Sequence, residues 1–431
     1  MPDAIAALMD RRRKLLGPNV ATFYEEPLHL VKAQGVWLWD ADGRKYLDCY
    51  NNVPHVGHCH PKVVEAICRQ ASTLNTHTRY VHELVLDYIE RLTATMDTPL
   101  STAVMTCTGS EANDLALRVA RAVTGKTGII ATDHTYHGNS MAVSQLSTTS
   151  KPSGPAFDNV RFVPAPDSYR PPQLHGKTHA EYFADCAAEK IFELEKAGHG
   201  FSALVVCPFF ANEGFPDQDE DWLKPVAAIV KKAGGLLIAD EIQPGFGRIG
   251  SHMWGYQRAG ISPDIVTLGK PMANGHPVGA MVTSTELMEN FRTTSKYFNT
   301  FGGNPVSSAA ALATLDVLQS ENLVANAHDV GAYAKAGLQA LAEKFEVIGD
   351  VRGRGLFFGA ELVMNRKTKT PATNYAKRVA NEMRRRGVIL NFIGIHNNTL
   401  KIRPPMPFSR ANADMMLGTL EEVLRVVPVK I

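Results

Sequence analysis

A lysine and an aspartate thirty positions apart, Lys270 and Asp240, carry the chemistry that stands out in this chain. Lys270 follows an apolar run (Ile265, Val266, Leu268) and opens a Gly/Pro-rich stretch, KPMANGHPVGA. Asp240 ends a second apolar run, GGLLIAD. A primary amine at one strand end and a carboxylate at another suit pyridoxal phosphate. The amine forms a Schiff base with the aldehyde, and the carboxylate keeps the ring nitrogen protonated so that the ring can store electrons. Such an ion pair is worth ~4 kcal/mol at about 4 Å and an effective dielectric of about 20.

Other residues fit the same cofactor. Alternation along ADEIQ puts Asp240 and Ile242 on one side, where Ile242 can close one face of the ring. Tyr136, in DHTYHG, offers an aromatic plate for the other face, and Gln243 can reach the ring hydroxyl. TCTGSEANDLALRVA reads as a strand, a tight turn and a helix start, so free N–H groups at Gly109 and Ser110 favour a phosphate. The same residues also read as a plain helix cap made by Ser110. FNTFGGNPVS places Thr300 and two glycines before a helix, a second anion-suited turn, with Asn304 as cap and Pro305 in the first turn.

These residues need strand ends and helix starts to hold them. GVWLWDADGRKYLDCYNN predicts a hairpin. Beyond residue 62, helical periodicity at 83–96 and 111–123 alternates with apolar strands at 128–132, 203–207, 235–240 and 264–268. That alternation predicts an α/β fold with a mostly parallel sheet covered on both faces. An Ala/Leu-rich pattern at Ser307 to Leu318 leads to the strand pattern IGDVRGRGLFFGAELV, a helix near 374–386 and a strand in HNNTLKIRPP. The expected division is residues 1–61 and 319–431 as a smaller α+β domain from both termini, around a large domain at 62–318.

Bulk properties exclude several classes. Lys+Arg number 45 and Asp+Glu 43, a net charge of +2, so no field draws the chain to nucleic acid or to a membrane. The run Arg11-Arg12-Arg13-Lys14 reads as the solvated face of an amphipathic helix with Ile5, Leu8, Leu15 and Leu16. There is no signal-peptide pattern and no apolar run of about 20 residues. Six cysteines without a CxxC pair suit reduced thiols and a cytoplasmic location. GHCHP places His58, Cys59 and His60 side by side, which reads as a turn, and no metal is expected.

TGSEAND, TYHG, ADEIQPGFGR, TLGKP and NTFGGNP resemble, in order and over nearly the whole chain, the motifs of class III pyridoxal-phosphate-dependent aminotransferases of fold type I. The resemblance implies that Lys270 is the Schiff-base lysine and Asp240 the ring-nitrogen partner. It also implies Gly109 and Ser110 on the cofactor phosphate, and Tyr136 and Ile242 on the ring faces. A homodimer with shared sites follows, in which Thr300 reaches the cofactor phosphate of the neighbouring copy.

Within that family, LDCYNNVPHVGHCHP, NTHTRYVHE, GKPMANGHPVGAMV, FNTFGGNPVS and LKIRPPMPF resemble ethanolamine-phosphate phospho-lyases. These imply elimination of phosphate from a small phosphorylated amine, O-phosphoethanolamine or a close amino-alcohol phosphate, to acetaldehyde and ammonia. Many class III members carry EPxxxEGG where this chain reads CPFFANEGF, with Cys207 and Asn212 at the glutamate positions. No arginine near 391–396 matches the one several aminotransferases use for substrate carboxylates. A phosphate-bearing substrate calls for cations. Arg79, aided by His77, is the first choice, with a surface pairing to Glu83 as the plain reading. Lys401 and Arg403, two apart on a strand, face either the site or solvent. Asn52, with Tyr50 and Asn51, lines the pocket or makes a turn. An omega-amino-acid or alanine–glyoxylate aminotransferase is the competing function, and a non-catalytic cofactor-binding protein the third.

Overall fold

The expected hairpin is the centre of a small antiparallel meander: β1 (Leu30–Gln34), β2 (Trp37–Asp40) and β3 (Lys45–Asp48). Asp40 sets the β2–β3 turn, because its Oδ1 accepts from the amides of Asp42 and Arg44 at 3.0 and 2.9 Å. The computed structural model describes residues 2–149 and 154–429.

A seven-stranded sheet lies at the centre of the described residues. It comprises β4 (Thr102–Thr106), β5 (Gly128–Thr132), β6 (Val160–Val163), β7 (Phe201–Val206), β8 (Leu236–Asp240), β9 (Ile265–Leu268) and β10 (Gly279–Thr283), in the order β4-β10-β9-β8-β7-β5-β6. Every pairing is parallel except those of β10, which runs antiparallel to both neighbours. Only residues 269–278 join β9 to β10, too few for the crossover a parallel pair needs. β5, β7, β9 and β10 are buried at every position, as strands covered on both faces must be. The helices Gly109–Thr124 and His179–Lys196 pack against this sheet.

Helix Gly109–Thr124 is capped by Thr108, whose hydroxyl accepts from the Glu111 amide in a full capping box. Ser110 is therefore not the cap. Thr108 precedes it in extended conformation, and the Ser110 hydroxyl instead accepts from the Asn139 amide at 3.1 Å. Gly125, at φ +67°, ends the helix in the left-handed region.

Beyond the helices Pro305–Ser320 and Leu323–Lys344 come β11 (Ile348–Arg354), β12 (Phe357–Asn365), β13 (Thr370–Pro371), β14 (Val388–Ile389), β15 (Asn391–Ile393) and β16 (Thr399–Ile402). β11, β12, β16 and β15 form an antiparallel sheet, with β13 on β12. β14 pairs in parallel with β3, so both halves of the chain share one sheet. No helix among the described residues is long and apolar enough to cross a membrane.

Candidate active site

The carboxyl ends of the parallel strands converge on one cavity, where open α/β sheets place their ligands. β4 leads to Thr108, Gly109 and Ser110, and β5 to the loop holding Tyr136, His137 and Gly138. β7 runs into Cys207, β8 ends in Asp240, and Lys270 stands two residues past β9. These residues, with Asn212, Ile242 and Gln243, line a cavity of about 190 Å³. Two glycines keep it open. A Cβ on Gly109 would lie 2.4 Å from Ile242 Cδ1, and one on Gly138 would lie 2.5 Å from Ser110 Oγ.

Asp240 is buried and fixed from three sides. Its Oδ2 accepts from His137 Nδ1 at 2.6 Å and Asn113 Nδ2 at 3.0 Å, and its Oδ1 from the Ile242 amide at 3.0 Å. Asn113 is oriented in turn by Thr267 Oγ1, which donates to its Oδ1 at 2.7 Å. Glu241, next in sequence, turns away and accepts from the amides of Gly255 and Tyr256 at 3.0 and 2.7 Å. Lys270 is half-buried. Loss of water around its amine and the nearby Arg403 charge, against the opposing pull of Asp240, bring its pKa down to about 8.

Gln243 is clamped. Its Oε1 accepts from Lys401 Nζ at 3.2 Å and from an Arg403 guanidinium N–H, while its Nε2 donates to Asn212 Oδ1 at 3.1 Å. Lys401 also donates to the Ala211 carbonyl at 3.1 Å, and Arg403 Nε to the Tyr50 carbonyl at 3.0 Å. Both side chains are buried, and neither pairs with a carboxylate among the described residues. Burial, reinforced by Arg403 and Lys270, pushes Lys401 well below the usual lysine range. Asn52 is 2% exposed, and neither its Nδ2 nor its Oδ1 has a hydrogen-bond partner among the described residues.

Other sequence candidates lie elsewhere in the single chain. Arg79 is exposed, its guanidinium 3.8 Å from the centre of the Phe298 ring, and it lines an outer groove with Tyr80, Leu86 and Tyr297 rather than the Lys270 cavity. It makes no ion pair with Glu83. His77 stacks on Tyr80 with ring centres 5.0 Å apart. Thr300 is exposed and outside the cavity lining. No cluster of three or more potential metal-ligating side chains occurs among the described residues. His137 and Asn113, the holders of Asp240, were not assigned a role from sequence. The histidine in TYHG, in the loop after β5 and two strands from Asp240, is the signal for the first.

An amine and a fixed carboxylate lining one small cavity, together with a helix N-terminus, Tyr136 and Ile242, form a cradle that fits pyridoxal phosphate. The family profile for class III aminotransferases matches residues 21–424, and the chain belongs to that family. A Drosophila melanogaster alanine–glyoxylate aminotransferase 2-like protein is 40% identical, the alignment covering 96% of this chain and 86% of the relative. A Caenorhabditis elegans ethanolamine-phosphate phospho-lyase homologue is 37% identical, covering 97% and 93%. Among solved structures, a phospholyase from Arthrobacter in complex with phosphoethanolamine superposes with a TM-score of 0.94 at 44% identity, covering 98% of this chain and 100% of that one. A pyridoxal-phosphate-bound amine transaminase from an uncultivated Pseudomonas species gives 0.86 at 28% identity, covering 95% and 98%. The fold is that of the fold type I enzymes.

Proposed function

We propose that this chain is a pyridoxal-phosphate-dependent carbon–oxygen lyase that eliminates phosphate from O-phosphoethanolamine, or a close amino-alcohol phosphate, giving acetaldehyde, ammonia and phosphate. The observation that carries the reading is the Arg403 guanidinium buried beside the Lys270 cavity without a carboxylate, with the Lys401 amine next to it. Buried charge without a counter-ion is unfavourable, and a phosphate monoester carrying nearly two negative charges relieves it. The likeness to a phospholyase that binds phosphoethanolamine supports the same substrate class.

Pyridoxal phosphate, when bound, supplies an electron sink conjugated to the amine-bearing carbon. Lys270 anchors it between turnovers, and its neutral amine then takes the proton from that carbon. Asp240, held by His137 and Asn113, keeps its charge directed at the ring nitrogen. Gly109 and Ser110 present helix N-terminal amides to the cofactor phosphate, and Tyr136 and Ile242 pack the two ring faces. Gln243, with its oxygen taken by Lys401 and Arg403, offers the remaining Nε2 proton to the ring oxygen. Arg403, Lys401 and Asn52 receive the substrate phosphate. The breaking C–O bond leaves its electrons on that phosphate, and water hydrolyses the released enamine to acetaldehyde and ammonia, so no amino acceptor is consumed.

The working unit in this reading is a cytoplasmic homodimer, with Thr300 reaching the cofactor phosphate of a second copy. Arg79, on the outer groove, and His77, stacked on Tyr80, act across the same boundary. The large domain spans 62–318, and residues 1–61 and 319–431 form the smaller one. The 40% identity to an alanine–glyoxylate aminotransferase 2-like protein keeps amino-group exchange as the second reading. Holoenzyme given O-phosphoethanolamine and no keto acid separates the two: equal release of phosphate, acetaldehyde and ammonia is expected. Amino transfer to an added keto acid, with no phosphate released, would replace the proposal with the second reading.

A further inference from the structure

Arg248 is a guanidinium in the core for which the reaction above has no use. It is 1% exposed and pairs with no carboxylate among the described residues. Its NH1 donates to the carbonyls of Leu356, at 3.2 Å, and Pro404. Its NH2 donates to His55 Nδ1 at 3.1 Å. His55, also 1% exposed, has Nε2 2.8 Å from the Phe246 carbonyl. A carbonyl only accepts, so the proton sits on Nε2 and Nδ1 is left as acceptor for Arg248. Burial and the Arg248 charge hold the imidazole neutral, well below its usual pKa.

The segments tied by this pair carry Asn52 and Arg403, both assigned to the substrate phosphate, and Gln243, which accepts from Arg403. His55 lies three residues past Asn52, and its carbonyl accepts from the Met406 amide at 2.8 Å. Phe246 and Arg248 lie in the turn that begins with Gln243. Pro404 follows Arg403, whose own amide bonds the Cys49 carbonyl at 2.9 Å. Arg248 therefore joins residues 49–56, the turn after β8 and the exit of β16, three parts of the chain far apart in sequence. A hydrophobic side chain could fill the same volume without an uncompensated charge. Only a planar fork can make these three bonds at once.

We propose that Arg248, with His55, is a positioning residue for substrate phosphate: it fixes Asn52, Gln243 and Arg403 relative to one another, and does not itself touch substrate. This rests on the phospho-lyase reading. The test compares wild-type holoenzyme with Arg248→Lys, His55→Gln and His55→Asn. The readouts are KM and kcat for phosphate release from O-phosphoethanolamine, cofactor absorbance, and calorimetric binding of inorganic phosphate. Arg248→Lys keeps the charge and loses the fork, and His55→Gln keeps the Nε2 donor and loses the acceptor. Each is expected to raise KM and weaken inorganic phosphate binding by ~10-fold or more, with kcat within about threefold and cofactor content unchanged. His55→Asn, which keeps the acceptor facing Arg248, is expected to restore most of the phosphate affinity.

If Arg248→Lys does not fold, His55→Gln carries the same prediction. Wild-type KM and phosphate affinity in the folded variants would overturn the role of Arg248, as would a fall in kcat and cofactor content at unchanged KM. A wild type that neither binds nor releases phosphate would remove the phospho-lyase reading, and this inference with it.

Discussion

Lys270 has to be uncharged to take up its cofactor, and its surroundings favour that form. A lysine at the ordinary 10.5 is almost wholly protonated at neutral pH, whereas one at about 8 leaves roughly a tenth of the amines free. The sign follows from the causes: lost solvation and the Arg403 charge penalise the ammonium, and Asp240 only partly offsets them. Cofactor capture by the apo-protein, followed by absorbance in stopped flow, should accelerate with rising pH and level off just above pH 8. A rate still climbing steeply through about pH 9 to 10 would mean an ordinary lysine. The lysine itself was legible in sequence, as a lone amine after an apolar run. The depressed titration was not, because it depends on Arg403, 133 positions further on. The same holds for Asp240: its position was readable from strand alternation, but the His137 and Asn113 bonds needed two other strands in place.

At the scale of elements, the site is a set of strand ends, and the strands were readable wherever the apolar runs were short and punctuated. β5, β7, β8 and β9 lie within two residues of their expected bounds. β10 was not singled out, since GHPVGAMVT gives no signal for direction and its antiparallel course comes from the shortness of the preceding loop. The helix at Gly109–Thr124 was expected from its periodicity, yet the cap fell to Thr108, because the capping box needs Glu111 three residues on. That cap frees Ser110 and Gly109 for a ligand. Gly109 is where helix, β8 exit and cavity meet, since any Cβ there would press on Ile242. Gly109→Ala should therefore weaken cofactor binding by about tenfold or more, displacing Ile242 into the cavity, with the melting temperature of the apo-protein nearly unchanged. Unchanged cofactor affinity in a fluorescence titration would show that the close approach is not functional.

The whole molecule raises a different question, which is how Thr300, Arg79 and His77 take part when one chain leaves them outside the cavity. Sequence motifs implied their use, and the single chain does not bring them to Lys270. We propose that a second copy reconciles the two. Mixing Lys270→Ala chains with Thr300→Ala chains, then unfolding and refolding them together, should generate one intact site per mixed dimer. Activity should then exceed that of either variant alone. No gain over the separate variants would place Thr300 in its own chain's chemistry or outside it altogether. With a net charge of only +2, the proposed recognition of phosphate rests on local groups such as Arg403 and Lys401, not on a global field. The most direct measurement of the central claim is the amount of phosphate released per bound cofactor from O-phosphoethanolamine when no keto acid is present. Elimination predicts many equivalents, matched by acetaldehyde and unaltered by added pyruvate. Release that stops at or below one equivalent, or that requires the keto acid, would contradict it.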